Sequence, residues 1–229
     1  MALADIYSYF ETLDDSTFNV FSCESTKPSE SDIEDFERSV GFRLPDEFRQ
    51  FTMSYLGGLY IEVKEDLWPR PELYQVGPFW SFLYGLKVFG ISKDVPEWLD
   101  LRVQTTEMVE AGYKDLVPFL QLECETNKYC FNSQGQIFEW NHEDPDERNI
   151  IDMTFSELLM REIRELEIRK DQKMRGEDKR PPQIPRQLQS EYQKAIEGNK
   201  PCPFCGKPLR TNQAQQCFLC GADWHRKTM

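Results

Sequence analysis

At 229 residues the chain is long for one domain and short for two of full size. Apolar residues make up 39% and aromatics 13%, enough to fill a core, which excludes wholesale disorder. The net charge of -13 argues against a general nucleic-acid binder or a membrane-surface protein, both of which carry basic footprints. No apolar run approaches the roughly 18 residues of a membrane span. The first residues, Met1-Ala2-Leu3-Ala4-Asp5, lack the basic and apolar regions of a secretory signal, so the expected compartment is the cytoplasm.

Along the chain, Leu3, Ile6, Phe10 and Leu13 recur at helical spacing and predict a helix over 2–13. A polar stretch from Ser22 to Ser29 contains Pro28 and reads as loop. Ser31 with Glu34 fits a capping box that opens a helix burying Ile33, Phe36 and Val40, with Gly41 at its C′ position. Pro45 suits a first helical turn, and Asp46 and Glu47 complement the positive helix end. Phe48, Phe51 and Tyr55 supply that helix's inward stripe, and Gly57-Gly58 reverse the chain into a strand at Leu59–Val63. The aromatic stretch from Leu67 to Tyr84 lacks interleaved Lys or Arg, which favours core or partner-facing surface over base stacking. Leu86–Ile91 reads as a strand, Pro96–Leu99 as a turn or helical start, and Thr106–Ala111 as a short helix. Strands then follow at Leu116–Gln121, Lys128–Asn132 and Gln136–Trp140, the last two joined as a hairpin by Asn132-Ser133-Gln134-Gly135. Thr154 with Glu157 forms a second capping box before a helix burying Phe155, Leu158, Leu159, Ile163 and Leu166. Beyond residue 168 the chain is charged and then proline-rich, with a short polar helix around Glu191–Ile196. The predicted organisation is a body over 1–167, a linker over 168–200 and a terminal module over 201–229.

Charge and cysteine divide along the same line. Residues 1–160 hold 12 Lys and Arg against 31 Asp and Glu, net -19; residues 161–229 hold 15 against 9, net +6. Cys124 and Cys130 lie in or beside a strand-like run and read as small buried hydrophobes, whereas Cys23 lies in a polar stretch and reads as exposed. The other four form Cys202-x2-Cys205-x11-Cys217-x2-Cys220. Two CxxC pairs bring four thiolates to one tetrahedral Zn²⁺, and Gly206 and Gly221 permit the tight turns that such pairs need. So short a module buries too little apolar surface to fold alone, so the metal is expected to be structural. A thioredoxin-like redox pair needs a βαβ setting that is missing here, and a catalytic zinc needs an open coordination position; iron in place of zinc stays chemically open. His225 reads as a surface residue. The module resembles a zinc ribbon of the CPxCG…CxxCG kind, which implies fold and metal but not function.

The body shows no constellation for catalysis. It has no GxSxG and no glycine-rich phosphate loop, and its one histidine, His142, sits in a loop after a strand. With 31 carboxylates present, pairs at acid–base spacing arise by chance. The body therefore reads as a non-enzyme.

A helix followed by Gly41-Phe42-Arg43-Leu44-Pro45-Asp46-Glu47-Phe48-Arg49-Gln50-Phe51, then Gly57-Gly58 entering a strand, resembles the N-terminal hallmark of the SUKH superfamily. Leu116-Val117-Pro118-Phe119, Asn127–Asn132, Gly135 and Ile137–Trp140 fit its later part, so the resemblance spans about 30–165. It implies an α+β fold, with helices packed on a mixed, mainly antiparallel sheet, and no catalytic residues. It also implies a binding role. Many bacterial members are immunity proteins that neutralise a cognate secreted toxin, often a nuclease or nucleic-acid deaminase, while eukaryotic relatives are regulators or scaffolds.

The charge agrees with that role, because an acidic inhibitor fits the basic face of a nucleic-acid enzyme. The candidate contacts are the acidic clusters Glu30, Asp32, Glu34 and Asp35, and Asp144, Asp146 and Glu147. The expected partner is a toxin domain. The alternatives are a scaffold whose body and ribbon engage different proteins, and a weak nucleic-acid contact through the basic tail.

Overall fold

The computed structural model describes residues 2–70, 82–144, 148–175, 200–202, 206, 208–209, 214 and 217. The chain divides into two compact units, the larger ending at Asp171 and the smaller holding the C-terminal residues from Gln172 onward. The predicted helix around Glu191–Ile196 lies outside the described residues.

The larger unit is built on seven strands: β1 (Phe18–Phe21), β2 (Leu59–Val63), β3 (Gly85–Val88), β4 (Val117–Leu122), β5 (Lys128–Phe131), β6 (Ile137–Trp140) and β7 (Arg148–Ile151). Their order in the sheet is their order in the chain, and each pairs antiparallel with the next. Among the described residues the expected mixed sheet is therefore antiparallel in all its ladders, and the parallel pairing is one isolated bridge, Gly90 to Asp100. Among the described residues five α-helices accompany it: α1 (Leu3–Glu11), α2 (Glu30–Val40), α3 (Asp46–Thr52), α4 (Leu101–Glu110) and α5 (Phe155–Met174).

Alternation decides which face is the core. Leu59, Ile61 and Val63 of β2 are fully buried, while Tyr60 and Glu62 between them turn to the opposite face. Into the buried face α3 drives Phe48, whose ring lies 5.2 Å from both Phe131 of β5 and Phe155 of α5. Phe119 of β4 stacks on Phe131 at 4.0 Å and 16°. Phe119 lies at an irregularity between Pro118 and Leu120, where a proline without an N–H is tolerated in a ladder. Along α5, Leu158, Leu159, Ile163 and Leu166 form the buried stripe expected of it.

Caps place the helices. Thr154 and Glu157 form the expected reciprocal box, with backbone N–H to side-chain distances of 3.0 and 3.3 Å. The predicted box at Ser31 and Glu34 is instead made by Ser29 and Asp32, so α2 starts at Glu30. Gly41 ends α2 with φ of +83°, as predicted. Helix α3 already stops at Thr52, and the Gly57-Gly58 pair answers a different need. A Cβ on Gly57 would lie 2.1 Å from the Thr52 carbonyl oxygen, and one on Gly90 would lie 2.5 Å from the Gly58 nitrogen. The backbone crosses itself there too closely for any side chain.

Helix α4 is longer than the predicted Thr106–Ala111, and α5 continues past residue 167 to Met174. The strands β1 and β7 were not predicted. Among the described residues no helix is long and apolar enough to cross a membrane.

Candidate protein-binding surface and cysteine segment

The acidic positions expected to meet a partner occupy different local roles. Glu30 and Glu37 of α2 both bind the Arg49 guanidinium of α3. Arg49 and Glu37 are almost wholly buried, while the Glu30 side chain is 57% exposed. Asp32 accepts from the Ser29 hydroxyl at 2.7 Å and from the Ser29 N–H at 2.8 Å, which together hold its carboxyl below the usual range. Asp35 pairs with Arg38 on the surface. Glu34 and Asp144 are exposed, and neither carboxylate has a partner among the described residues. Asp146 and Glu147 lie outside the described residues.

Several other carboxylates serve buried phenols. Tyr9 donates to Glu167 at 2.9 Å, Tyr60 to Glu62 at 2.8 Å and Tyr129 to Glu162 at 3.0 Å. Burial first, and then these acidic neighbours, push all three phenols well above their ordinary range, so each keeps its proton at neutral pH. These three carboxylates are thus tied to internal donors.

A surface that the sequence did not single out lies on the sheet face opposite the core. Phe21, Tyr60, Lys87 and Gln121 are successive register partners across β1, β2, β3 and β4, forming one row. Over it lies Trp98, 5.3 Å from the Tyr60 ring and 6.4 Å from Phe21. Phe21 is 41% exposed and Trp98 46%. The visible signal was a tryptophan beside glutamate in a proline-led turn, with no helical stripe to bury it.

The cysteines of the body correct two expectations. Cys130 is fully buried as expected, and burial pushes its thiol up. Cys23 is buried rather than exposed, because Gly58 packs directly against its sulfur; burial raises its thiol too. Cys124 is exposed rather than buried, in a turn where its φ is +58° and its Sγ lies 3.8 Å from the Tyr84 hydroxyl. His142 is exposed on its loop, with its backbone N–H donating to Asn127 Oδ1 at 3.1 Å.

In the smaller unit, Cys202 and Cys217 are buried in one small cluster with Leu209 and Ala214. Pro201 pairs with Pro208, and Leu209 N–H donates to the Lys200 carbonyl at 3.0 Å, so the chain doubles back around Cys202. Gly206 takes φ of +71° and donates its N–H to the Cys202 carbonyl at 3.0 Å, the tight turn expected after a CxxC pair. Cys205 and Cys220 lie outside the described residues. Among the described residues no three histidine, cysteine or carboxylate side chains gather to hold a metal; Cys202 and Cys217 are the two of the four predicted ligands that are described.

No curated protein matches the chain. Residues 27–161 match the SMI1 / KNR4 family (SUKH-1), a span that takes in the Arg49 triad, the whole sheet from β2 onward and the start of α5. On that match over more than half its length, the chain belongs to the SMI1 / KNR4 (SUKH-1) family.

Proposed function

We propose that the chain is an immunity protein, which binds and neutralises a cognate secreted toxin, a nuclease or a nucleic-acid deaminase, through an acidic surface. Membership of a generally non-enzymatic family known for immunity proteins supports a protein-binding role. Charge carries the finer reading. Residues 1–160 have a net charge of -19, and a nucleic-acid enzyme must present a basic face to its own substrate. An inhibitor that occupies that face gains fast, salt-sensitive association. Glu34 and Asp144, exposed and with no partner for either carboxylate among the described residues, are the contacts best supported; Glu30, Asp32 and Asp35 contribute field from positions fixed by their own partners.

In this reading Cys202, Cys205, Cys217 and Cys220 hold a structural Zn²⁺, supported by their spacing, the shared burial of Cys202 and Cys217 and the turn at Gly206. The zinc supplies folding energy to a segment too short to form a core.

Tagged full-length chain purified from its native cells tests the function. The expected companion is a secreted toxin encoded beside it, released as salt is raised. A purified chain with no companion, and no toxin gene as neighbour, overturns the reading. A second reading, a scaffold using its two units for different proteins, is favoured by the division of the chain at Asp171. It predicts that deleting 172–229 abolishes one interaction and spares another.

A further inference from the structure

The geometry points to the cleft between Trp98 and α4 as a receptor for an arginine side chain of the protein partner. This rests on the protein-binding reading above and names one contact within it.

The position of Trp98 is imposed by its neighbours. Pro96 leads into a single helical turn, Glu97–Leu99, closed by the Leu99 N–H to the Pro96 carbonyl at 2.8 Å. Leu99 is fully buried and anchors the turn, which leaves Trp98 on the outside. Tyr60 meets its ring edge-on at 80°, and Phe21 flanks it on the edge strand β1. Two large aromatics thus stand together in solvent on a firm base. Exposed aromatic clusters of this kind are the usual centres of protein interfaces.

The chemistry of the adjoining cleft selects the partner group. It is a cavity of about 360 Å³ lined by Lys87, Glu97, Trp98, Gln104, Glu107 and Gln121, among others. The Glu97 carboxylate has no partner among the described residues. Gln121 donates its amide nitrogen to the Glu125 carbonyl at 2.7 Å, which leaves its oxygen as an acceptor. Lys87 of the lining, and Lys128 beyond it, are already engaged. Lys87 pairs with Glu123 at 3.7 Å, and Lys128 donates to Gln104 at 2.8 Å and to Glu107 at 3.2 Å. Lys87 also lies 5.9 Å from the Trp98 ring centroid, so the indole already sits in a cationic contact at the outer limit of its range.

An aromatic wall, an unpaired carboxylate and an amide oxygen suit a planar cation with several donors. Guanidinium stacks on indole while its N–H groups reach two acceptors at once; an ammonium offers a point charge without the flat face. Arginine, with lysine, is also what a nucleic-acid enzyme presents to the phosphates of its substrate.

The test titrates full-length, ¹⁵N-labelled chain with N-acetyl-arginine methylamide, following the indole N–H signal that Trp98→Phe removes. The citrulline and lysine analogues serve as comparators. The expected result is a saturable shift with the arginine probe, about tenfold weaker with citrulline, which keeps the shape and loses the charge. Glu97→Gln, at an exposed position, should reduce the response without altering the other indole signals. No saturable shift, an equal shift with citrulline, or a lysine response as strong as arginine would each overturn the assignment. The outcome is separable from the immunity role. A toxin complex that persists in Glu97→Gln and Trp98→Ala, with no arginine response, removes the cleft and keeps the function. A saturating arginine response in a chain that binds no toxin keeps the cleft and removes the function.

Discussion

Glu37 of α2 binds the Arg49 guanidinium with one carboxylate oxygen and takes the Leu44 backbone N–H at 2.7 Å with the other. One acidic side chain therefore fixes both the loop after α2 and the start of α3, the segment that carries Phe48 into the core. Glu30 meets the same guanidinium from a largely exposed position.

That difference in burial predicts a difference in cost. Glu37→Ala leaves a buried cation and a backbone donor short of acceptors, and should destabilise the chain by about 2–3 kcal/mol. Glu30→Ala removes the largely exposed partner and leaves Glu37 on the guanidinium, and should cost less than about 1 kcal/mol. Urea unfolding of the two variants checks this; equal effects would mean that Glu37 is not the anchor.

Glu139 on β6 faces Tyr129 in register, and its carboxyl is raised by burial and then by the nearby Glu162 charge. Between the unfolded value near 4.5 and the raised folded value, the folded chain binds more protons, so stability falls as pH rises through that window. Glu139→Gln removes this penalty. Its melting temperature should exceed that of the parent at pH 7 and match it below pH 4.5. A constant offset at both pH values would assign the effect to packing instead.

The three cysteines of the larger unit should separate by reactivity. Cys124 is exposed, while Cys23 and Cys130 are buried with raised thiols. Alkylation followed by peptide mass spectrometry should label Cys124 first and the other two only on unfolding. Early labelling of Cys130 would contradict the packing between α4 and the sheet.

For the terminal segment, metal analysis should find one zinc per chain, lost in Cys202→Ser. Chelation should accelerate hydrogen exchange at Gly206 and Leu209, whose N–H groups close the turn around Cys202. Metal-free chain with the same protection at those amides would remove zinc from the account.

The parts of the fold legible in the sequence were those with strong local chemistry. The Thr154–Glu157 box, Gly41 after α2, the turn from Asn132 to Gly135 and the alternation of β2 each specify their structure over a few residues. Strand β1 carries no alternating signal because only Phe18 of its four residues is buried, as suits an edge. Helix α4 exceeds its predicted length because its inward face includes Gln104 and Thr105, which hydrophobic periodicity does not register. At the candidate site, acidic clustering was visible but its commitments were not. That Glu30, Asp32 and Asp35 are held by Arg49, Ser29 and Arg38 depends partly on contacts distant in the chain. Trp98 gained meaning only when β1 and β2 brought Phe21 and Tyr60 beneath it.

The most direct test of the central claim is survival of cells that express the neighbouring toxin with or without this chain. The account predicts full rescue by the parent chain and weakened rescue by Glu34→Lys with Asp144→Lys, at unchanged fold. Cell death despite abundant, folded chain would contradict it.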